Sequence, residues 1–385
     1  MDDCKMLNPF ALGGVVRGDR FAGRKAEIDR LRDLAAGGHN IFLFAPRKYG
    51  KTSLLLEALE PESDAGRQRL IWCDCLPSTD AVGFTSRIVE SVVRAARLSR
   101  IKSWMKEAAG LFRTLRPNIT MDAAGNVRVG VDLVYSDGAV QEGLEDAIQA
   151  VHRLAVKGAK PTAVVFDEFQ KVAEWDADGQ AQAILRTAIQ AQEDVAYMFA
   201  GSERHLLQQL FEHRNRPLFK LAGPFPLGRL TSEELSPWLT DRFRDGGFDA
   251  DTGSVNRIVQ TTMGHPWATQ YLAHFVWEHA QRKNLETVDE AAVLGGIELA
   301  LKVGDSFYGG DLSRLTPSQR RVLTAISVEP TGSPTAAKYL MNHRLPSKST
   351  VSQAIHSLAL NGLIETQDEK YVPADPLFGL WLLGR

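Results

Sequence analysis

The chain has 385 residues, 44% of them hydrophobic and 24% charged, with 45 Lys and Arg against 47 Asp and Glu. That length suits two or three domains better than one. The near-zero balance excludes a basic coat over the whole surface, the usual footprint of a general nucleic-acid binder, while leaving room for a local patch. Cys4, Cys73 and Cys75 are too few for a disulfide framework, and Cys73-Asp74-Cys75 lacks the two-residue gap of zinc or redox pairs. Reduced thiols are therefore expected. The acidic start, Met1-Asp2-Asp3, leads into no apolar run of the kind a secretion signal needs, and no stretch is long enough to cross a bilayer. Cytoplasm is the expected compartment.

In chain order, residues 40–44 form a short apolar strand candidate, followed by a turn and a helix over 51–59. Residues 70–74 give a second strand. Ile119, Met121, Val127, Val129, Val131 and Leu133 alternate at period two around Ala-Ala-Gly-Asn, which predicts a β-hairpin insertion over about 117–134. Leu144, Ile148, Val151 and Leu154 repeat at helical spacing up to Gly158. A strand over 163–166, a helix over 180–192 and a strand over 195–200 follow. Repeated β-then-α units predict an α/β fold: a parallel sheet with helices on both faces.

From about Gly228 the strand signals stop. Thr231 with Glu234, and Thr287 with Glu290, fit the capping box, and Pro266 suits the first position of a helix running to about 280. An all-helical lid is predicted, ending in the Gly-rich, loop-like stretch 304–310. Beyond it, Thr316-Pro317-Ser318-Gln319 and Ser333-Pro334 each predict a helix start. Lys348 to Leu360 predicts a third helix, and 363–372 two strands around Asp368-Glu369. Three helices and a hairpin are the order of a winged helix. The expected domains are thus 1–227, the α/β core; 228–308, a helical lid; and 309–385, a winged helix-turn-helix.

The chemistry concentrates after the first strand. Ala45-Pro46-Arg47-Lys48-Tyr49-Gly50-Lys51-Thr52 matches the phosphate-binding loop except for Ala45 in the place of its first glycine. Backbone N–H groups of such a loop form an anion nest at a helix N-terminus. Lys51 is placed to reach the β- and γ-phosphates of ATP, and Thr52 to hold Mg²⁺. If position 45 has negative φ, alanine costs little there; if it needs positive φ, the loop is distorted.

Residues 163–166 run into Asp167 and Glu168, 115 residues after Thr52. A strand-end Asp of this kind organises Mg²⁺ beside the phosphate loop, and the following Glu can orient the attacking water and accept a proton. Ser202, just past the next strand, is either a polar sensor of the γ-phosphate or a helix cap. Arg204, Arg214 and Arg216 are candidates for an arginine acting across a subunit interface; each such residue is more often just a surface charge.

With these residues in place, the chain resembles the archaeal-type ATPase family, near the STAND nucleotide switches of the AAA+ superclass. The likeness rests on Asn8-Pro-Phe10, Phe21-Ala-Gly-Arg24 with Glu27, the loop from Pro46 through Lys51-Thr52-Ser53 to Leu54, Phe166-Asp-Glu-Phe-Gln170, Gly201-Ser-Glu-Arg-His-Leu206, Gly264-His-Pro266 and Asp375-Pro-Leu-Phe378. It implies an ATP hydrolase using Mg²⁺, and it makes Ala45-Pro46-Arg47 ordinary family usage. It also implies nucleotide contacts from Arg24, Pro46, Arg47, Tyr49, Gly50 and Ser53 and, in the lid, from His265 and Pro266. Some relatives carry a nuclease-like domain after the winged helix; none is expected before Arg385.

The third helix presents Lys348, Thr350 and Gln353, with Arg344 just before it, to a possible DNA groove. Residues 311–385 nevertheless hold eight Lys and Arg against six Asp and Glu, a weak footprint for a DNA reader. Two readings stay open. In one, the protein is an ATP-dependent molecular switch whose winged helix docks on the nucleotide module or on an unknown protein. In the other, it is a DNA-binding regulator, related to mobile elements or defence, whose affinity ATP tunes. Assembly into a homo-oligomer is compatible with both, and no membrane partner is expected.

Overall fold

A computed structural model describes residues 7–65, 67–96, 111–113, 115–121, 127–132, 139–158 and 160–384. It divides the chain into two compact units. One comprises Lys25–Ala45 and Lys51–Leu227; the other, the residues up to Arg24, Pro46–Gly50, and Gly228 onward.

In the first unit, helix α1 (Lys25–Ala36) leads to strand β1 (Ile41–Phe44), helix α2 (Lys51–Asp64), strand β2 (Arg69–Asp74) and helix α3 (Ala81–Ala95). An antiparallel pair follows, β3 (Arg116–Met121) with β4 (Val127–Asp132). This pair falls within the expected insertion; residues 122–126 and Leu133 lie outside the described residues, as does Cys4. Then come α4 (Ala139–Gly158), β5 (Thr162–Asp167), α5 (Gln170–Trp175), α6 (Gln180–Gln190), β6 (Val195–Gly201), α7 (Arg204–Glu212) and β7 (Gly223–Pro226).

Five strands make one parallel sheet in the order β2-β5-β6-β1-β7. The central strands β1, β5 and β6 are buried along their whole length, as expected where helices cover both faces of a parallel sheet. Alternate residues divide between the faces. Phe42, Phe44, Ile71, Val164, Phe166, Tyr197 and Phe199 enter one core with α3 to α7, where Phe42 stacks on Phe211 at 5.0 Å and Phe169 meets Phe199 at 4.7 Å. Leu43, Val165 and Met198 are buried on the opposite side, where α1 and α2 pack against β5 and β6. Cys73 and Cys75 are buried free thiols.

The second unit is largely helical: α8 (Ser232–Asp245), α9 (Thr252–Thr262), α10 (Pro266–Arg282) and α11 (Glu290–Ser313), with a short parallel pair, β8 (Asp249–Ala250) and β9 (Thr287–Val288). The capping box at Thr231 and Glu234 is formed. The second one is not: Thr287 lies in β9, and Asp289 caps α11 by accepting from Ala292 N. An aspartate next to the first helical residue outcompetes a threonine already committed to a strand.

The Gly-rich stretch 304–310 is also not a loop, because α11 runs through it. A Cβ on Gly304 would meet the ring of Tyr308, and Tyr308 stacks on Phe378 at 5.4 Å. Burial of that aromatic group outweighs the weak helix propensity of the glycines.

A winged helix follows: α12 (Pro317–Val328), α13 (Ala337–Asn342), α14 (Lys348–Leu360), and the hairpin β10 (Ile364–Gln367) with β11 (Lys370–Pro373). α13 starts three residues after the expected Pro334, with Ser333 and Thr331 in a side-chain turn before it. A closing helix, α15 (Pro376–Leu383), is capped by Asp375 and buries Leu377, Phe378 and Trp381. Lid and winged helix share one core, in which Leu272, Val276 and Tyr308 join Leu323, Val351 and Phe378.

Candidate functional site

Two groups of side chains, one in each unit, stand out among the residues singled out from the sequence: Lys51, Thr52, Asp167, Glu168 and Ser202 in the first, Tyr49 and His265 in the second. In the first unit, β1 ends at Phe44 and α2 begins at Lys51. Ala45 is not among the residues with positive φ; the left-handed positions of this bend are Lys48, at 67°, and Gly50, at 81°. Ala45 therefore fits without distortion. Space around Gly50 is open, so its glycine is required by backbone angle alone.

Lys51 is buried, and its Nζ donates to Ala45 O at 2.9 Å. Ser53, one position beyond Thr52 in the first turn of α2, is buried too. Thr52 Oγ1 donates to Asp167 Oδ2 at 2.8 Å, so the fold brings the loop's hydroxyl and the strand-end carboxylate together. Burial pushes the Asp167 carboxyl above its usual range; the Thr52 bond opposes this and the Glu168 charge adds to it. Hydroxyl and carboxylate oxygens are hard donors of the kind Mg²⁺ takes, and a cation there would relieve the burial of that carboxylate.

Next to Asp167, Glu168 has φ 53°, an uncommon conformation for a residue with a side chain. Glu168 Oε2 accepts from Gln170 Nε2 and, at 3.1 Å, from Ser202 Oγ. Ser202 is not the cap of α7, whose cap position is Glu203; its hydroxyl is turned to the carboxylate. Of the three arginines, Arg204 lies over the Phe44 ring at 5.1 Å, Arg216 donates to Ala177 O at 3.3 Å, and Arg214 is exposed.

The second unit holds a different cluster. Tyr49 is buried, with its hydroxyl donating to Glu365 Oε1 in β10. Arg229 closes the triangle: Nε donates to Glu365 Oε1 at 2.7 Å and to the Tyr49 hydroxyl at 3.1 Å, and Nη2 meets Glu365 at 2.5 Å. Burial pushes the Tyr49 phenol far up, so it stays protonated and donating.

Lys48 Nζ sits 3.6 Å from the centroid of Trp267. His265 caps α10 by accepting from Ala268 N at 3.2 Å, and its ring meets Tyr49 edge-on at 4.9 Å. Burial, aided by the charges of Arg229 and Lys48, pulls its pKa down to about 3. Pro266 is the first residue of α10. Arg24, at φ 66°, donates from N to Glu234 Oε1 at 2.7 Å and from Nη2 to Gly228 O at 2.6 Å, while Arg47 is exposed. On the winged helix, Arg344, Lys348 and Gln353 are exposed and Thr350 is half-buried.

Arg229 and Glu365 carry no signal in the sequence, being isolated charges far apart in the chain, whereas Lys48 lies inside the phosphate-loop motif. Gln170 does carry one: it stands two residues past Glu168, within a motif already singled out.

A parallel sheet in this order, a phosphate-loop bend and an acidic strand end, followed by a lid and a winged helix, define the class of AAA-type P-loop ATPases. The chain belongs to the AAA ATPase domain family, which matches residues 20–219, and a probable winged helix domain matches 306–384.

Among solved structures, it is similar to the Walker-type ATPase PABY2304 of Pyrococcus abyssi (17% identity, TM-score 0.65, covering 97% of this chain and 99% of that one). It is also similar to the Aeropyrum pernix ORC2 protein in ADPNP-ADP complexes (12%, 0.54, 95% and 97%) and to the Aeropyrum pernix ORC1 protein in complex with DNA (16%, 0.50, 95% and 94%). At such identities the likeness is one of fold. No curated protein matches the sequence. No helix among the described residues is long and apolar enough to cross a membrane.

Proposed function

We propose that the protein is an ATP-binding and ATP-hydrolysing switch of the cytoplasm, in which the phosphate loop reports nucleotide state to the winged helix. The observation that carries this reading is the bond from Tyr49 to Glu365. Tyr49 stands two residues before Lys51 in the chain, yet its hydroxyl is held by the winged-helix hairpin and by Arg229. A loop that must wrap phosphates and also holds β10 gives two nucleotide states different contacts, which any ligand-driven shift requires.

In this reading Lys51 binds the β- and γ-phosphates, Thr52 and Asp167 hold Mg²⁺, Glu168 orients the attacking water and Ser202 senses the γ-phosphate. Gly50 and the backbone of Pro46 and Arg47 cradle phosphate, beside Ser53. Arg24, His265 and Pro266 belong to the nucleotide's surroundings, with His265 neutral. The functional domains are taken as 1–227, 228–308 and 309–385, and assembly of several copies would let an arginine act across the interface.

The test is hydrogen exchange over 364–373 with Mg²⁺-ATP and with ADP. Protection of this hairpin should differ between the two nucleotides in the unaltered chain and become equal in Tyr49→Phe. Equal protection in the unaltered chain removes the switch.

A second reading is favoured by the exposure of Arg344, Lys348 and Gln353 and by the fold shared with an ORC1 protein whose structure is in complex with DNA. Here the winged helix binds duplex DNA, and nucleotide tunes its affinity. Salt-sensitive binding in a gel shift, weakened in Arg344→Ala and Lys348→Ala, is the expected result; no shift at low salt rejects it.

A further inference from the structure

Glu168 is fixed by a small, nearly closed network. Gln170 Nε2 donates to Glu168 Oε2 and reaches Ser202 Oγ at 3.2 Å, while Ser202 Oγ donates to the same carboxylate oxygen at 3.1 Å. The other oxygen, Oε1, has no hydrogen-bond partner among the described residues. Beneath it the backbone is equally constrained: Glu168 is at φ 53°, Phe169 N donates to Ala200 O at 2.8 Å, and Glu168 O accepts from Lys171 N at 3.1 Å. Left-handed residues that carry side chains persist where the surroundings over-determine them, often at functional sites.

Gln170 is 1% exposed, and its Oε1 accepts no hydrogen bond among the described residues. That oxygen is aimed at Gly201, where no Cβ would fit beside it. Charge fixes the orientation of the amide, because turning it over would put Oε1 against the Glu168 carboxylate. For packing alone, methionine or leucine would fill the same space without stranding a carbonyl oxygen, which a buried site disfavours. The fold keeps an amide here despite that penalty, and among the described residues the amide's partners are Glu168 and Ser202.

We infer that Gln170 is a positioning residue for hydrolysis. It holds Glu168 with one carboxylate oxygen committed and the other presented to the attacking water, and it ties that carboxylate to Ser202. It acts through Glu168 and does not touch nucleotide. The inference rests on the hydrolytic role proposed above for Glu168. A carboxylate held in one rotamer is preorganised for its task, whereas a free one must be ordered in each turnover.

The test compares the full chain with Gln170→Met, Gln170→Asn, Glu168→Gln and the double variant Glu168→Gln/Gln170→Met, measuring kcat and KM for Mg²⁺-ATP, ATP affinity and melting temperature. Gln170→Met should lower kcat by about tenfold or more, with KM and ATP affinity within about twofold and a melting temperature unchanged or raised. Gln170→Asn keeps the amide one methylene short of Glu168 and should lose kcat likewise; it carries the test alone if the methionine variant does not fold. In the Glu168→Gln background, Gln170→Met should change the residual rate no further, since both act on one group.

A kcat for Gln170→Met or Gln170→Asn close to that of the unaltered chain overturns the inference, as does a loss of rate tracking a fall in melting temperature or in ATP affinity. With Glu168→Gln inactive and Gln170→Met fully active, only the role of Gln170 fails. No turnover by the unaltered chain removes the hydrolytic reading and this inference together.

Discussion

At Asp167, burial raises the carboxyl's pKa while the Thr52 bond and the Lys51 charge work against it. A group so balanced gains from a divalent cation and loses little of its packing when made neutral. Asp167→Asn should therefore keep the fold and leave ATP binding measurable, while Mg²⁺-dependent turnover falls by about a hundredfold or more. Phosphate-release assays with Mg²⁺ varied check this.

His265 gives a prediction about stability. Its pKa is about 3 in the folded chain against an ordinary 6.5, so below that ordinary value the unfolded chain binds the extra proton. The stabilisation linked to its neutrality is complete above about pH 6.5 and is lost as the pH falls toward 3. Asparagine is itself a good helix cap, so His265→Asn should match the unaltered protein at pH 7.5 and show a smaller drop in melting temperature by pH 5. Parallel acid slopes in the two proteins would show that His265 contributes no such term.

Among the elements, the strands and helices of strong period were legible in the sequence, and the reasons are physical. β1, β5 and β6 are apolar runs because both faces are covered, and α14 shows its buried side at Val351, Ile355 and Leu358. What misled was local chemistry overruled by packing: glycines 304–310 read as a loop until Tyr308 is seen in the core. Of the site, the proximity of Thr52 to Asp167 was readable because both belong to spaced motifs. The Tyr49, Arg229 and Glu365 triangle was not, since nothing in one sequence links residues so far apart.

That triangle has its own test. Arg229 and Glu365 are only 4% and 13% exposed as side chains, and removing one partner of a buried pair costs about 3–5 kcal/mol, whereas replacing both with apolar groups is often near neutral. Glu365→Gln should lower stability in denaturant titration, and Arg229→Met with Glu365→Leu should recover more than half of the loss. Equal loss in both would mean that packing, and not the pair, holds the hairpin.

For the whole molecule, the family match and the shared fold establish an AAA-type ATPase domain followed by a winged helix. A net charge of -2 gives no general pull toward nucleic acid, so the second reading proposed above rests on a local patch, the exposed side chains of α14 and its approach. Its affinity should then fall along a shallow salt slope, set by the two or three phosphates such a patch can neutralise.

The central claim is that the bend from Phe44 to Lys51 wraps the phosphates of ATP and that Asp167 and Glu168 turn binding into hydrolysis. The most direct measurement pairs ATP binding with Mg²⁺-dependent phosphate release for the unaltered chain, Lys51→Ala and Glu168→Gln. The expected result is binding and turnover in the first, neither in the second, and binding without turnover in the third. Lys51→Ala binding and hydrolysing ATP like the unaltered chain would contradict the account.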